Sequence, residues 1–182
     1  MSLEAQLTRS SFSVREPCRL DMTIRSSQTL VRGEVIEVQL PNSWLAVFSA
    51  GDTRPLQSDN VGSPHYVCFQ AAAPQAVFDT RIRPRHLVYP SGPARHGRCI
   101  TATLRSGSVP AGIPIRFTYA NTYAPPVVEQ EEVWVRLKGE APTTPPVLTV
   151  TAGPAEALRV IAPSAAEPGV AFDVVVVGLD RY

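Results

Sequence analysis

The sequence predicts an all-β fold built from short antiparallel strands. Apolar and polar residues alternate with a period of two along most of the chain, as in strands that bury one face. The chain has 18 prolines in 182 residues, about twice the usual share. Proline lacks a backbone N–H and fixes φ, so this density disfavours long helices. Only residues 71–76 could form a helical turn, and Pro74 weakens that alternative.

The first strands follow from this alternation. They are predicted over residues 11–14, 18–24 and 34–40. In the second of them, Leu20, Met22 and Ile24 share one face, and the polar residues between them take the other. Pro41 ends the third strand because it cannot donate a ladder hydrogen bond. Residues 44–48 are apolar and form either a short strand or a turn.

Residues 50–64 carry the longest run of turn-forming residues in the chain. Loops of this length are uncommon in compact domains and are often functional or mobile. Strands resume over residues 65–70, 76–82, 98–104, 113–120 and 132–138. The inward faces of the last two carry Ile115, Phe117 and Tyr119, and then Val133, Val135 and Leu137.

A domain boundary is predicted after residue 138. Residues 139–146 are rich in proline and threonine, which is typical of a semi-rigid linker. Residues 4–138 would form one β-sandwich, and residues 147–182 the opening strands of a second, incomplete one, at 147–151, 157–161 and 171–178. Short strands spaced about ten residues apart favour an immunoglobulin-like antiparallel sandwich.

Composition excludes some partners. The net charge of +1 gives no reason to expect nucleic acid, and no apolar run approaches the roughly 20 residues that span a bilayer. The N-terminus has no basic segment followed by an apolar one, so no signal peptide is visible.

The sequence predicts no catalytic residue, no cofactor and no metal site within this chain. Cys18, Cys68 and Cys99 lack CxxC spacing and sit in apolar runs, which favours small buried thiols over nucleophiles or ligands. The three histidines have no ligand partner at the usual spacing. Asp59 and Asn60 lie in the long loop without the pattern of a calcium loop, so they are interpreted as hydrogen-bonding turn residues.

Alternating arginines form the most concentrated charge. In an extended strand, the first three of these arginines would share one face, and two more follow after a turn. The five candidates for anion binding are Arg81, Arg83, Arg85, Arg95 and Arg98. Guanidinium groups suit carboxylate, phosphate or sulfate. The alternative is a solvated sheet face paired with acids such as Glu129, Glu131 and Glu132.

Aromatic residues offer a second kind of ligand contact. Tyr89 and Tyr123 stand next to prolines and are candidates for stacking a sugar, with packing against proline rings as the alternative. Trp44 and Trp134 are predicted to anchor the core.

Three stretches, taken in order, resemble a known group of proteins. They are residues 31–44 with 59–67, residues 97–101 with 109–119, and residues 148–164 with 168–174 and 180–181. The resemblance is to the N-terminal, non-catalytic region of an uncharacterised bacterial family. Members of that family carry immunoglobulin-like sandwiches ahead of a metal-dependent hydrolase-like region of the PHP type.

The resemblance implies that any catalytic chemistry belongs downstream, because its His-x-His-x-Asp type of motif does not occur in this chain. The favoured hypothesis is a non-enzymatic structural or interaction module whose partners are adjacent domains of the same polypeptide. The alternatives are a module that binds a glycan or polyanion, and part of a metal-dependent phosphoesterase whose site lies elsewhere. The compartment stays open between bacterial cytoplasm and periplasm or another extracytoplasmic location.

Overall fold

The structure, a computed structural model, describes residues 2–44, 56–83 and 96–180, with the main chain alone for 96–98. Its strands, in chain order, are β1 Leu3–Leu7, β2 Ser11–Ser13, β3 Pro17–Ser26, β4 Val35–Pro41, β5 Tyr66–Ala71, β6 Val77–Arg83, β7 His96–Ser106, β8 Ile115–Tyr123, β9 Glu129–Glu132, β10 Trp134–Leu137, β11 Val147–Thr151, β12 Ala157–Ile161 and β13 Val175–Leu179. A short 3₁₀ turn, Asn42–Trp44, follows β4. The prediction of an all-β fold is confirmed.

Two four-stranded antiparallel sheets form the body of the protein. The first sheet has the strand order β1-β3-β8-β5, and the second has the order β10-β4-β7-β6. Their inward residues form one continuous buried cluster. Contacts such as that between the rings of Phe69 on β5 and Phe78 on β6, 6.4 Å between centroids, join the two layers. This arrangement is that of a β-sandwich.

The alternation in β3 and β8 explains why these two strands lie at the centre of the first sheet. Met22 is opposite Phe117, and Ile24 is opposite Ile115, so the inward residues of the two strands meet in register. All four side chains are at most 1% exposed. Full burial of a side chain of this size contributes about 1.5–3 kcal/mol. The predicted inward faces of both strands are therefore confirmed.

A smaller three-stranded sheet closes one side of the sandwich. Its order is β2-β11-β9, and β11 runs parallel to β2 but antiparallel to β9. Leu148 and Val150 of β11 are buried in the same cluster as Phe12 of β2. Residues 147–151, predicted to open a second sandwich, thus pack into the core shared with the preceding strands. The division into residues 4–138, 139–146 and 147–182 otherwise stays a prediction.

Four local features differ from the prediction. The last strand, expected over residues 171–178, begins only at Val175. β1 was not predicted, although Leu3 and its alternating neighbours pair with β3. The single strand expected over residues 132–138 is two strands, β9 and β10, which belong to different sheets and are separated at the buried Val133. Trp134 is half-buried rather than a core anchor, and the Arg136 guanidinium lies 4.1 Å from its ring centroid.

A buried hydrogen-bond network lies at the end of the sandwich near Trp44. The Tyr119 hydroxyl, fully buried, donates to the backbone oxygen of Trp44 at 3.0 Å and accepts from the Thr122 hydroxyl at 2.9 Å. His65 Nδ1 is also 2.9 Å from this hydroxyl. Because the tyrosine proton is directed at Trp44, Nδ1 is the donor. The network joins β8, the loop before β5 and the 3₁₀ turn.

The turn after β7 requires a glycine. Gly107 has a φ of +73°, and a Cβ placed there would lie 2.3 Å from the backbone oxygen of Gln75. Gly112 has a similar φ of +76°, but a Cβ there would have nothing within 4 Å. A side chain at either position would have a strained backbone, but only a side chain at Gly107 would also collide with neighbouring atoms.

We expect Tyr119→Phe to lower the free energy of unfolding by about 1–3 kcal/mol, because it leaves buried donors without their acceptor. Urea unfolding followed by fluorescence measures this change. Tyr123→Phe is the matched control, since Tyr123 is 47% exposed, and its effect should stay within about 0.5 kcal/mol. Equal effects of the two substitutions would contradict a structural role for the network.

We expect Gly107→Ala to destabilise the fold more than Gly112→Ala. Both substitutions introduce the left-handed strain of about 1–2 kcal/mol, but only the first forces Cβ against the backbone of the preceding turn. Denaturant midpoints of the two variants measure the difference. A Gly107→Ala midpoint at or above that of Gly112→Ala would show that the turn relaxes freely.

Candidate functional site

Two of the five predicted anion-binding arginines have described side chains. Arg81 and Arg83 are exposed on the outward face of β6, while Ile82 between them packs against the core. Arg81 Nε donates to Asp79 Oδ2 at 3.1 Å, and Arg105 Nε lies 3.6 Å from the same oxygen. Asp79 therefore already offsets part of the positive charge on this face.

The rest of the predicted cationic hairpin falls outside the described part of the chain. Arg85, Arg95 and Tyr89 lie there, as does the side chain of Arg98. That patch stays a prediction. The acid that meets Arg81 is Asp79 rather than Glu129, which lies in another sheet and accepts a hydrogen bond from Ser43.

Tyr123, the other predicted stacking residue, is exposed at the end of β8. It lines a shallow depression of about 590 Å³ together with Pro17, Arg19, Pro64 and Asn121. Its side chain is accessible to solvent, and its role in stacking a sugar stays a prediction. Among the described residues, Arg19 is the one charged side chain that lines this depression.

The cysteines behave as structural thiols. Cys99 is fully buried, and Cys18 and Cys68 are partly buried; all three are free. Burial raises the pKa of Cys18 and of Cys99 to about 12, so both thiols stay protonated at neutral pH. A thiolate nucleophile at either position is therefore disfavoured.

A polar surface that was not predicted covers the outward face of the first sheet. Arg19 forms a two-point contact with Asp21, with Nε 2.8 Å from Oδ2 and Nη2 3.2 Å from Oδ1. Thr118 also donates to Asp21 Oδ1, at 2.6 Å. Partial burial raises the pKa of the Asp21 carboxyl, but the hydrogen bonds from Arg19 and Thr118 and the charges of Arg19 and Arg116 together bring this pKa below its ordinary value. Arg25 and Arg116 are exposed on the same face.

Two adjoining depressions lie on this surface. One, of about 350 Å³, is lined by Arg116, Gln70 and Pro114; the other, of about 720 Å³, lies between β1 and residues 142–147. Thr23 and Arg25 line both, so the two form one continuous surface. Residues 142–147 include three prolines, which have no N–H to donate and so cannot form a full ladder with β1.

A second unusual surface is the ribbon formed by β12 and β13. The strands pair only with each other in the described structure, and their apolar side chains remain exposed. The side chains of Leu158, Val160 and Val176 are 72%, 63% and 58% exposed. These three lie on one face, because Val160 is opposite Val176 and Leu158 is opposite Gly178.

The described residues include no group of three or more His, Cys, Asp or Glu side chains that could hold a metal ion. In the loop before β5, Asp59 and Asn60 instead shape a turn. Their backbone N–H groups each donate to Gln57 Oε1 at 2.9 Å, and Asn60 Oδ1 accepts from the backbone N–H of Gly62. This agrees with their interpretation as turn residues. In the part of the chain that the structure covers, no helix has the length and apolar character needed to cross a membrane.

Comparison with known proteins gives no family assignment. No protein-family model matches this chain, and no curated protein is significantly similar to it.

Proposed function

We propose that this chain is a non-catalytic, immunoglobulin-like β-sandwich module of a larger bacterial protein, with a structural or interaction role beside a downstream hydrolase-like region. The observation that carries the proposal is the exposed apolar ribbon of β12 and β13. A two-stranded ribbon is at best marginally stable in water, and a sheet of three or more strands with a covered apolar face is needed for stability. The ribbon therefore needs a protein partner.

The chemistry of the ribbon favours β-strands as the partner. Both outer edges of the ribbon offer unpaired main-chain groups in the described structure, and its side chains are mainly valine and leucine. Further strands could extend the sheet through main-chain hydrogen bonds, and a facing sheet could cover the valines. We propose that an adjacent domain of the same polypeptide supplies both, which completes a second sandwich.

The ribbon is connected to the body of the protein by local hydrogen bonds. The backbone N–H of Gly153, just after β11, donates to Asp180 Oδ2 at 3.0 Å. The backbone N–H of Glu156 donates to the oxygen of Leu179 at 2.8 Å. The first bond holds the base of the ribbon close to the end of β11, and the second extends the pairing of β12 with β13 by one residue. This arrangement suits a module that positions its neighbour.

A second candidate function is ligand binding by the sandwich itself. The observation in its favour is the exposed arginines on both sheets, Arg81 and Arg83 on the second sheet and Arg25 and Arg116 on the first. Participation in a metal-dependent phosphoesterase is a third proposal, and it rests on the sequence resemblance alone.

We expect the amides of residues 157–161 and 175–179 to exchange hydrogen at least about 100-fold more slowly in the full-length polypeptide than in residues 1–182. The reason is that partner strands would pair the ribbon edges and cover its face. Hydrogen–deuterium exchange with mass spectrometry measures both proteins under identical conditions. The amides of β3 serve as an internal reference, because their protection should be the same in both.

A double substitution tests the apolar face directly. Val160→Asp with Val176→Asp places two carboxylates opposite each other on that face and should remove the added protection in the full-length polypeptide. The control is Val61→Asp, which changes a valine that is 72% exposed outside the ribbon. Equally fast exchange of the ribbon in the two unmodified proteins would rule out its completion by the same polypeptide.

A further inference from the structure

Two arginines on the outward face of the first sheet have no acidic partner among the residues that the structure describes. Arg25 on β3 and Arg116 on β8 are exposed, and within the described residues no carboxylate oxygen lies within 4 Å of either guanidinium. They are diagonal neighbours across the strand pair, because Arg116 is opposite Thr23, two residues before Arg25. Two like charges this close repel each other unless an anion lies between them.

Two acids share this face with the arginines, and in the described structure neither lies within 4 Å of their guanidinium groups. Asp21 adds an attractive charge near Arg116, but both of its oxygens accept hydrogen bonds from Arg19, and Thr118 donates to one of them as well. Glu4 is opposite Arg25 on β1 and is exposed, without a hydrogen bond to it. The donors of Arg25 and Arg116 are therefore available to a ligand.

The register places further polar groups beside these arginines. Thr23 on β3 and Gln70 on β5 flank Arg116 directly, since both are its cross-strand partners. All three side chains line the smaller depression together with Arg25. A hydroxyl, an amide and two guanidinium groups form a set of donors suited to the oxygens of a carboxylate or a sulfate.

Besides Arg25, the larger depression is lined by one acidic side chain, Glu4, and by neutral groups that suit hydroxyl-rich ligands. Its polar lining includes the hydroxyls of Ser2, Ser10, Thr143 and Thr144 and the amide of Gln6. Neither depression is lined by an aromatic side chain in the described structure, so neither offers a stacking surface to a nucleobase or to a sugar ring, and recognition here depends on charge and hydrogen bonds.

We propose that this face binds an acidic carbohydrate. Arg25 and Arg116 hold a carboxylate or sulfate of one sugar, and Thr23 and Gln70 bond to its other oxygens. The neighbouring sugars continue over β1 toward residues 142–147. This site differs from the arginines of β6 predicted from the sequence, and it is independent of the role proposed for the ribbon. Both depressions are shallow, so we expect weak affinity that depends on several sugars.

Isothermal titration at low ionic strength tests the proposal, because salt screens exposed charges. The probes are galacturonic acid, an oligogalacturonate of about six sugars, a sulfated oligosaccharide of the same length and a neutral oligosaccharide of the same length. The proteins are residues 1–182, the double variant Arg25→Ala with Arg116→Ala, and Arg159→Ala as the control. Arg159 is an exposed arginine on the ribbon that lines neither depression.

The expected result is that one of the two acidic oligomers binds at least about tenfold more tightly than galacturonic acid and the neutral oligomer. The double variant should lose about tenfold or more in affinity, since two charge-assisted contacts are removed, while Arg159→Ala keeps its affinity. Whichever oligomer binds more tightly identifies carboxylate or sulfate as the anionic group. Thermal unfolding checks that all variants stay folded.

Three results would overturn the proposal. One is no binding of either acidic oligomer. Another is binding that the double variant retains in full, which would place the site elsewhere, for example at Arg81 and Arg83. The third is equal binding of poly-glutamate of matched charge, which would show that the hydroxyl and amide groups recognise nothing in the sugar and that the face binds acidic peptides.

Discussion

The burial of one apolar row from every strand between the two main sheets is the constraint on which the rest of the structure depends. Met22 and Ile24 meet Phe117 and Ile115 in register, and each is almost completely removed from water. A shift of β3 by one residue would turn Asp21 toward the core and expose the apolar row. The same register therefore fixes the core and the polar surface outside it.

Much of the fold could be predicted because its signal is local. The alternation of apolar residues in β3 and β8 was sufficient to identify the strands and their buried faces. β1 was missed although Leu3 to Leu7 alternates, because five residues at a chain terminus are a weak signal. The parallel pairing of Thr149 with Ser11 could not be predicted, since nothing local in either strand specifies a partner so distant in sequence.

The candidate surfaces were harder to predict from the sequence than the strands were. The arginines of β6 are two residues apart in one strand. Because side chains in a strand alternate between its two faces, the sequence alone is enough to place these arginines on the same face. Arg25 and Arg116 are far apart in the sequence and become neighbours only through the pairing of β3 with β8. For the ribbon, the sequence predicted the opening strands of an incomplete sandwich, but a run of valines does not reveal what covers them.

The parallel pair of β2 and β11 has a mechanical consequence. Force applied to the chain on either side of the sandwich would pull β2 and β11 in opposite directions along their length. Their ladder would then be loaded in shear, so that the positions from Ser11 to Ser13 resist together instead of opening one after another. A sandwich connected in this way can carry tension along the chain while its own core stays closed.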